Sequence, residues 1–252
     1  MNSTPWVLRL IVANVVMMIM TRLAPAMGNA LMFVPAYALV RPWTLITYMF
    51  LHAGWSHLFF NMLGLFFFGP RLELELGGRN FLWLYFISGM MGALLSLVLS
   101  PMAAIVGASG AVYGVMLGFA FYWPREPMYV WGLMPVQSRF LIAFMTFLSI
   151  FGGFGGSTDG IAHFAHLGGF AGGYVYLKWL NRESAQASKH LLSSVQLIKA
   201  GDQDRWHKIQ REKLHPVNRE ELDRIMDKLN STGVAGLTHT ETEFLNRFSS
   251  NE

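Results

Sequence analysis

The sequence contains no cysteine among its 252 residues. A disulfide framework, a thiol nucleophile and a cysteine-ligated metal site are therefore excluded. Charged residues are scarce as well, because they make up 13% of the chain whereas 53% of the residues are hydrophobic. This composition is too apolar for an ordinary soluble domain of this length. It indicates a membrane protein.

The few charges are unevenly distributed along the chain. Residues 1–181 hold eight Lys or Arg and four Asp or Glu, while residues 182–252 hold eleven of each kind. The whole net charge of +4 therefore belongs to the apolar part of the chain. A weakly basic apolar segment with a neutral tail is not the pattern of a nucleic-acid-binding protein, so nucleic acid is not an expected partner.

Six apolar segments approach the length of about 20 residues with which a helix crosses a bilayer. They are Trp6–Ala24, His57–Gly69, Phe81–Leu99, Gly110–Trp123, Phe140–Phe154 and Ile161–Leu180. The second, fourth and fifth are short, so we expect them to extend into their flanking residues or to pack among neighbouring helices. The predicted fold is therefore all-α, a polytopic bundle of six transmembrane helices formed by residues 1–181.

The basic residues predict the orientation of this bundle. An even number of spans places both termini on the same side of the membrane. The loops expected on that side carry Arg71, Arg79, Arg125, Arg139, Lys178 and Arg182, against Arg22 and Arg41 on the other side. Because cytoplasmic loops are enriched in Lys and Arg, both termini are predicted to be cytoplasmic.

The first span has an alternative interpretation as a cleaved signal peptide. It carries an early basic residue, Arg9, an apolar core and the small-residue stretch Ala24-Pro25-Ala26, which are features of such a peptide. Cleavage would leave five spans and place the charged tail outside. After the first span, the apolar stretch Pro42–Leu51 is too short to cross and is predicted to be interfacial or re-entrant.

Four polar side chains are predicted to lie at one depth in the bundle. His57 and Asn61 are four residues apart and share one helix face. With cytoplasmic termini, the second, fourth and sixth spans all run from outside to inside. Ser109 and His166, near the starts of the fourth and sixth, therefore lie at a similar depth. Polar side chains inside a membrane are costly and usually functional, so we expect these four to form a site.

These polar residues also have structural interpretations. A serine at a helix start, such as Ser109, is often an N-cap. His57 and Asn61 can face headgroups or bond a neighbouring helix. No role requires His52 or His163, which keep the structural interpretation.

Glycines recur at four-residue spacing in two of the spans. They are Gly110, Gly114 and Gly118 in the fourth span and Gly169 and Gly173 in the sixth. Such stripes let two helix backbones approach closely, and this approach is expected to bring Ser109 within hydrogen-bonding reach of His166. Tyr113 lies on the same face as Ser109 and is expected to stack on the imidazole of His166.

The shortage of carboxylates narrows the possible chemistry. A serine hydroxyl is a poor nucleophile until a base takes its proton, and histidine is the usual base. The carboxylates before residue 182 are Glu73, Glu75, Glu126 and Asp159, none of them in a predicted span. A buried Ser-His-Asp triad and an aspartyl protease with two facing carboxylates are therefore not expected. A zinc protease is set aside because no glutamate lies between His163 and His166. A Ser-His dyad remains.

Three motifs of the chain resemble those of the rhomboid family of intramembrane serine proteases. They are HLFFN, with His57 and Asn61; GASG, with Ser109; and AHLGGFAGG, with His166. The motifs follow one another in the family's order and lie in the corresponding spans, over roughly residues 40–180. The resemblance makes Ser109 the nucleophile and His166 its base. The other implied roles are oxyanion stabilisation for His57, Asn61 and the Ser109 backbone N–H, and packing around the dyad for Tyr113, Gly107 and Gly110.

The resemblance also implies a substrate class and a location. Family members cleave transmembrane segments of other proteins near small residues and helix-breaking sequence, and they need no cofactor or metal. The expected partners are thus membrane protein substrates and the lipid bilayer, in a bacterial inner membrane. One departure concerns the first long loop, where many members carry Trp-Arg. Here Trp43 is followed by Thr44, and Arg41 comes two residues before the tryptophan.

The tail is predicted to be separate from the membrane domain. Residues 182–215 are interpreted as a partly helical linker. Residues 216–252 are interpreted as a small cytoplasmic helical hairpin, similar to tail domains of some bacterial rhomboids. Its first helix begins at Pro216 and its second has a capping box formed by Thr238 and Glu241. Nothing in the tail indicates catalysis.

Two other functions compete with proteolysis. A catalytically silent rhomboid-like protein would bind membrane clients without cutting them, but this chain retains both Ser109 and His166. A transporter or channel would need polar groups along several spans as far as the inner face. Here the polar groups stop in the outer half of the spans, which disfavours a transport path.

Overall fold

The computed structural model describes residues 4–130, 134–155 and 162–249. The chain divides into two compact units, Met1–Leu180 and Asn181–Glu252. The predicted start of the sixth span at Ile161 and the carboxylate of Asp159 lie outside the described residues.

Helices form nearly all of the described regular structure. They are α1 (Pro5–Leu23), α2 (Pro25–Leu31), α3 (Thr44–Thr47), α4 (Trp55–Leu99), α5 (Ser109–Tyr122), α6 (Ser138–Phe154), α7 (His163–His207), α8 (Pro216–Thr232) and α9 (His239–Phe248). Short 3-10 turns occupy Pro35–Tyr37, Tyr48–Phe50, Arg211–Lys213 and Val234–Gly236. The fold is a helical bundle, as the apolar segments predict.

The helix α4 is broken near its middle. Gly77 has φ 74° and ψ 151°, so the backbone leaves the helical conformation there and adopts a φ that glycine tolerates best. The two halves of α4 contain the second and third predicted spans. The first half is longer than predicted, because the helix continues past Gly69 and Pro70 up to the break.

Two of the described helices, α1 and α4, are long and apolar enough to cross a membrane by length and composition. The helices α5 and α6 are apolar but shorter. Along α4, Leu65 and Leu72 are fully buried while Phe60 and Phe67 are more than half exposed. A helix that is apolar on its outward face as well as its inward one is typical of a membrane span. The count of six spans stays a prediction.

A pair of short β-strands that the sequence does not predict follows α5. Strand β1 (Pro127–Val130) pairs antiparallel with β2 (Met134–Gln137). Each strand has four residues and contains a proline. Segments this short carry too little alternation to be recognised as strands.

Side chains of the following segment cover the C-terminal end of α2. The last carbonyls of a helix have no partner within the helix. Here three consecutive ones accept side-chain hydrogen bonds. The pairs are Arg41 Nη1 with Asn29 O at 3.3 Å, Trp43 Nε1 with Ala30 O at 3.1 Å, and Thr47 Oγ1 with Leu31 O at 2.8 Å. Arg41 and Trp43 therefore both hold the first long loop against α2.

The side chain of Glu73 holds the N-terminal end of α1 against α4. Its two carboxyl oxygens accept hydrogen bonds from the backbone N–H groups of Trp6, at 3.1 Å, and Val7, at 2.9 Å. Glu73 is only 3% exposed. The sequence predicts that Glu73 lies outside a span, and in the structure it lies within α4, which extends beyond it. A buried acid is tolerated here because it satisfies two helix N–H groups.

The unit Asn181–Glu252 has its own apolar core. Its buried side chains are Trp206, Leu222, Ile225, Leu229 and Leu245, and the Trp206 indole donates to Asn246 Oδ1 at 2.9 Å. The helix α7 continues to His207, well into the segment predicted as a linker. The helix α8 ends before Gly233, which has φ 71°.

The start of α9 is fixed by a capping box between Thr238 and Glu241. Glu241 also accepts from Lys228 Nζ at 2.8 Å and lies 3.0 Å from Arg224 Nη2. The hydrogen bond from Lys228, followed by that from the backbone N–H of Thr238, lowers the pKa of Glu241 to about 2. The carboxylate therefore stays ionised at neutral pH and keeps both cations in place.

We expect Glu73→Gln to destabilise the unit Met1–Leu180. A glutamine amide has one acceptor oxygen where the carboxyl has two, so one buried N–H of α1 loses its partner, at a cost of about 1–3 kcal/mol. The measurement is thermal unfolding in detergent. Glu75→Gln is the matched control, because Glu75 is two residues away on the same helix and exposed. Equal unfolding temperatures for the two variants would contradict the assigned contact.

Candidate active site

Ser109 is the first residue of α5, and the N-cap position belongs to Ala108. No side chain caps this helix start. The interpretation of Ser109 as an N-cap is therefore wrong. Its backbone N–H is one of the first N–H groups of a helix, which have no partner within the helix. The serine thus brings a hydroxyl and a backbone donor to the same place.

The hydroxyl of Ser109 lies against the imidazole of His166. The distance between Ser109 Oγ and His166 Nε2 is 2.9 Å, within hydrogen-bonding range. The two residues are 57 positions apart in the chain, on α5 and α7. His166 is buried. Packing of these two helices therefore creates the pair.

Glycines make this packing possible. A Cβ atom at Gly169 would overlap the carbonyl oxygen of Gly110, and one at Gly173 would lie 3.1 Å from the Cα of Gly114. The backbones of α5 and α7 are thus in direct contact beside Ser109. Gly118 belongs to the same stripe but has different neighbours. The nearest atoms to its Cβ position are the side chains of Leu72 and Leu84 from α4.

The ring of Tyr113 stacks on that of His166. The ring centroids are 4.1 Å apart and the planes are 19° from parallel. Phe170, one turn beyond His166, also packs against the tyrosine, with the two ring centroids 4.9 Å apart. The Tyr113 hydroxyl is 3.8 Å from Met145 Sδ on α6. The imidazole plane is therefore fixed by an aromatic face. Beyond helical spacing, nothing in the sequence marks Phe170 or Met145 as part of this site.

His57 and Asn61, on α4, lie in the wall of the cavity that contains Ser109 and His166. The imidazole of His57 lies on Gly107, where a Cβ atom would approach within 2.8 Å of Nε2. Gly107 has φ 126°, a conformation that other residues rarely adopt. Asn61 Nδ2 donates to the carbonyl oxygen of His57 at 2.9 Å. An amide nitrogen carries two hydrogens, so one remains for another acceptor.

The cavity around Ser109 has a volume of about 720 Å³ and a mostly apolar wall. Its main apolar side chains are Phe60, Phe67, Phe68, Val112, Met116 and Met145. A few polar groups in an otherwise apolar pocket are typical of a binding site. The described residues contain no group of three or more His, Asp or Glu side chains that could hold a metal ion.

Comparison with known proteins identifies the family. A family model described as the Rhomboid domain matches residues 40–183, more than half of the chain. The chain belongs to the rhomboid family. Members of this family are integral membrane proteins, and serine proteases are among them.

Several relatives align with this chain at similar identity. Rhomboid-like protease 3 of Toxoplasma gondii is 34% identical over 155 residues, which cover 60% of this chain and 56% of the relative. Rhomboid protease GluP of Bacillus subtilis (strain 168) is 34% identical over 62% of this chain and 30% of its own length. RHOMBOID-like protein 1 of Arabidopsis thaliana is 38% identical over a stretch that covers 53% of this chain and 33% of the relative. The matches thus span between about a third and just over half of these longer relatives.

A fluorophosphonate probe, which reacts with activated serines, is expected to label Ser109. Labelling should disappear in Ser109→Ala and fall about 100-fold or more in His166→Ala, since the hydroxyl then has no base to take its proton. The readout is mass spectrometry of the labelled protein in detergent. Ser56→Ala is the matched control, because Ser56 lines the same cavity. Labelling at Ser56, or undiminished labelling in His166→Ala, would show that the pair is not an activated nucleophile.

Proposed function

We propose that this protein is an intramembrane serine endopeptidase that cleaves transmembrane segments of other membrane proteins with Ser109 and His166 as a catalytic dyad. The observation that carries the proposal is the 2.9 Å contact between Ser109 Oγ and His166 Nε2, inside an apolar cavity of a rhomboid-family chain. Membership of the family supports the class of substrate.

The reaction begins with attack by Ser109 Oγ on the carbonyl carbon of the scissile peptide bond. The serine proton passes to His166 Nε2, and negative charge collects on the carbonyl oxygen. When the C–N bond breaks, the leaving amine takes the proton from His166. Water then attacks the acyl-enzyme and gives its proton to His166. Release of the new carboxyl group returns that proton to Ser109.

Three donors are suited to the charge on the carbonyl oxygen. They are the backbone N–H of Ser109, the second hydrogen of the Asn61 amide and the imidazole of His57. Preorganised donors of this kind stabilise the transition state most strongly in sites that exclude water. His57 is well suited to the task, because Gly107 fixes one side of its ring and the edge of His52, 5.1 Å away between centroids, borders it as well.

Orientation of the base does not require a carboxylate in this proposal. In a triad, an acidic residue holds the imidazole in place. In this proposal the stacked ring of Tyr113 helps to hold the imidazole. Glu73, which is the buried acid among the described residues of Met1–Leu180, accepts hydrogen bonds from α1, so it is already used for folding.

We further propose that α1, the two halves of α4, α5, α6 and the first part of α7 are the six spans. Both termini would lie in the cytoplasm of a bacterial cell, with the bundle in its inner membrane. The hydrogen bonds from Trp6 and Val7 to Glu73 support α1 as a permanent part of the bundle and disfavour the signal-peptide interpretation. The basic loops support the orientation.

Kinetics of single variants separate the proposed oxyanion donors from the dyad. Asn61→Ala and His57→Ala should each lower kcat by about 100- to 1,000-fold. KM should change little, because the interaction exists mainly in the transition state. Ser109→Ala and His166→Ala should abolish cleavage of a single-span substrate in liposomes. The donor variants could instead lose thermal stability while each folded molecule cleaves as fast as the wild type. In that case His57 and Asn61 would only hold helices together.

Binding of a substrate by the wild type without cleavage would indicate a catalytically silent protein that binds membrane clients.

Reporter fusions test the orientation. A cytoplasm-active reporter fused after Leu180 should be active, and one inserted near Asp159 should be inactive, because the proposed sixth span separates the two sites. A reporter that is active only outside the cytoplasm should give the opposite pattern. If cytoplasmic activity appeared near Asp159 and not after Leu180, the common depth of the four polar residues would have no basis.

A further inference from the structure

The segment before Ser109 is held by hydrogen bonds from two distant parts of the chain. Ile105 exchanges two backbone hydrogen bonds with Phe33, of 2.8 and 3.1 Å. The backbone N–H of Gly107 donates to the carbonyl oxygen of Tyr48 at 3.0 Å. The rings of Phe33 and Tyr48 are buried and pack together, with their centroids 5.7 Å apart. A packed aromatic pair therefore fixes the chain that leads into α5.

Tyr48 is also anchored through the end of its side chain. Its hydroxyl donates to the carbonyl oxygen of Gly89 on α4 at 2.8 Å, and the residue is only 1% exposed. A Cβ atom at Gly110 would lie 3.6 Å from the same hydroxyl oxygen, so the tyrosine reaches the first turn of α5 as well. The sequence predicts only that the stretch Pro42–Leu51 is interfacial or re-entrant. In the structure, its tyrosine joins α4 to the start of α5 and, through its carbonyl group, to Gly107.

The position of Gly107 affects two of the proposed oxyanion donors. The imidazole of His57 lies directly on Gly107, where a Cβ atom would come within 2.8 Å of Nε2. Ser109, whose backbone N–H is another proposed donor, follows two residues later. Gly107 has φ 126°, and a glycine is freer than other residues to change its backbone conformation. Its hydrogen bond to Tyr48 limits that freedom.

We propose that Tyr48 is a positioning residue for the reaction, because its buried hydroxyl fixes, through Gly107, the imidazole of His57 and the backbone N–H of Ser109. This inference rests on the proposed protease function. Donors stabilise a transition state only where they stand in place before the charge develops, and a misplacement of about 1 Å can cost roughly 100-fold in rate. A hydroxyl that places the donors without touching the substrate should therefore affect kcat more than KM.

The first test removes this hydroxyl alone. Tyr48→Phe keeps the ring, its packing on Phe33 and the carbonyl oxygen that accepts from Gly107. For a single-span substrate in liposomes, kcat per folded molecule should fall about tenfold with KM nearly unchanged, a smaller loss than the removal of a donor causes. Tyr85→Phe is the matched control, because it removes another fully buried tyrosine hydroxyl, from α4. It should keep the wild-type kcat.

A second measurement reports on the oxyanion position itself. A peptide aldehyde forms a tetrahedral adduct with a nucleophilic serine, and the adduct oxygen lies where the oxyanion forms, so its affinity should also fall about tenfold in Tyr48→Phe. When Tyr48→Phe is added to His57→Ala, kcat should fall by a smaller factor, because one of the donors that it places is already absent. A merely structural role would lower the unfolding temperature and leave kcat per folded molecule and aldehyde affinity unchanged.

A further variant decides the question if Tyr48→Phe does not fold. Phe33→Leu removes the ring that packs on Tyr48 but keeps the tyrosine hydroxyl and both backbone hydrogen bonds to Ile105, and it should show the same selective loss of kcat. Wild-type kcat and aldehyde affinity in the folded variant would overturn the role of Tyr48. Absence of both fluorophosphonate labelling and cleavage in the wild type would overturn the proposed function instead.

Discussion

The contact of the α5 and α7 backbones is the constraint on which the rest of the site depends. Ser109 and His166 are short side chains on separate helices, so their 2.9 Å separation requires that the helix axes come unusually close. Gly110 and Gly169 permit this because neither has a Cβ atom to keep the backbones apart. In a membrane, where helices gain little from apolar burial, such close contact is itself a main source of helix association. The stripe thus stabilises the bundle and sets the geometry of the pair.

The scarcity of carboxylates in the apolar part of the chain shapes both stability and chemistry. A buried acid is costly unless it is hydrogen-bonded. Glu73 meets that condition by accepting from two N–H groups at the start of α1. A second buried acid behind His166 would need its own donors. Stacking by Tyr113 fixes the imidazole without that demand, since an aromatic ring carries no charge to desolvate.

Sequence alone predicts the parts of this structure that have a strong local signal. The length of its apolar segment predicts α5. The four-residue spacing of the glycines predicts close packing of α5 and α7, which brings Ser109 and His166 together. The burial of Glu73 did not follow, because it depends on the start of α1, 66 residues away in the chain. The break at Gly77 and the paired strands Pro127–Val130 and Met134–Gln137 were also missed. One glycine among 25 and two four-residue strands carry no distinctive pattern.

The short length of α5 has a consequence for the proposed reaction. The helix has 14 residues, which gives about 21 Å at 1.5 Å per residue, against a hydrocarbon thickness of about 30 Å. With its inner end at the cytoplasmic interface, its first residue, Ser109, would lie roughly 9 Å below the outer surface. A helix start at that depth would expose unpaired N–H groups to hydrocarbon, which is unfavourable unless they face a polar cavity. The same N–H groups that make the position costly are suited to stabilise the oxyanion of the proposed reaction.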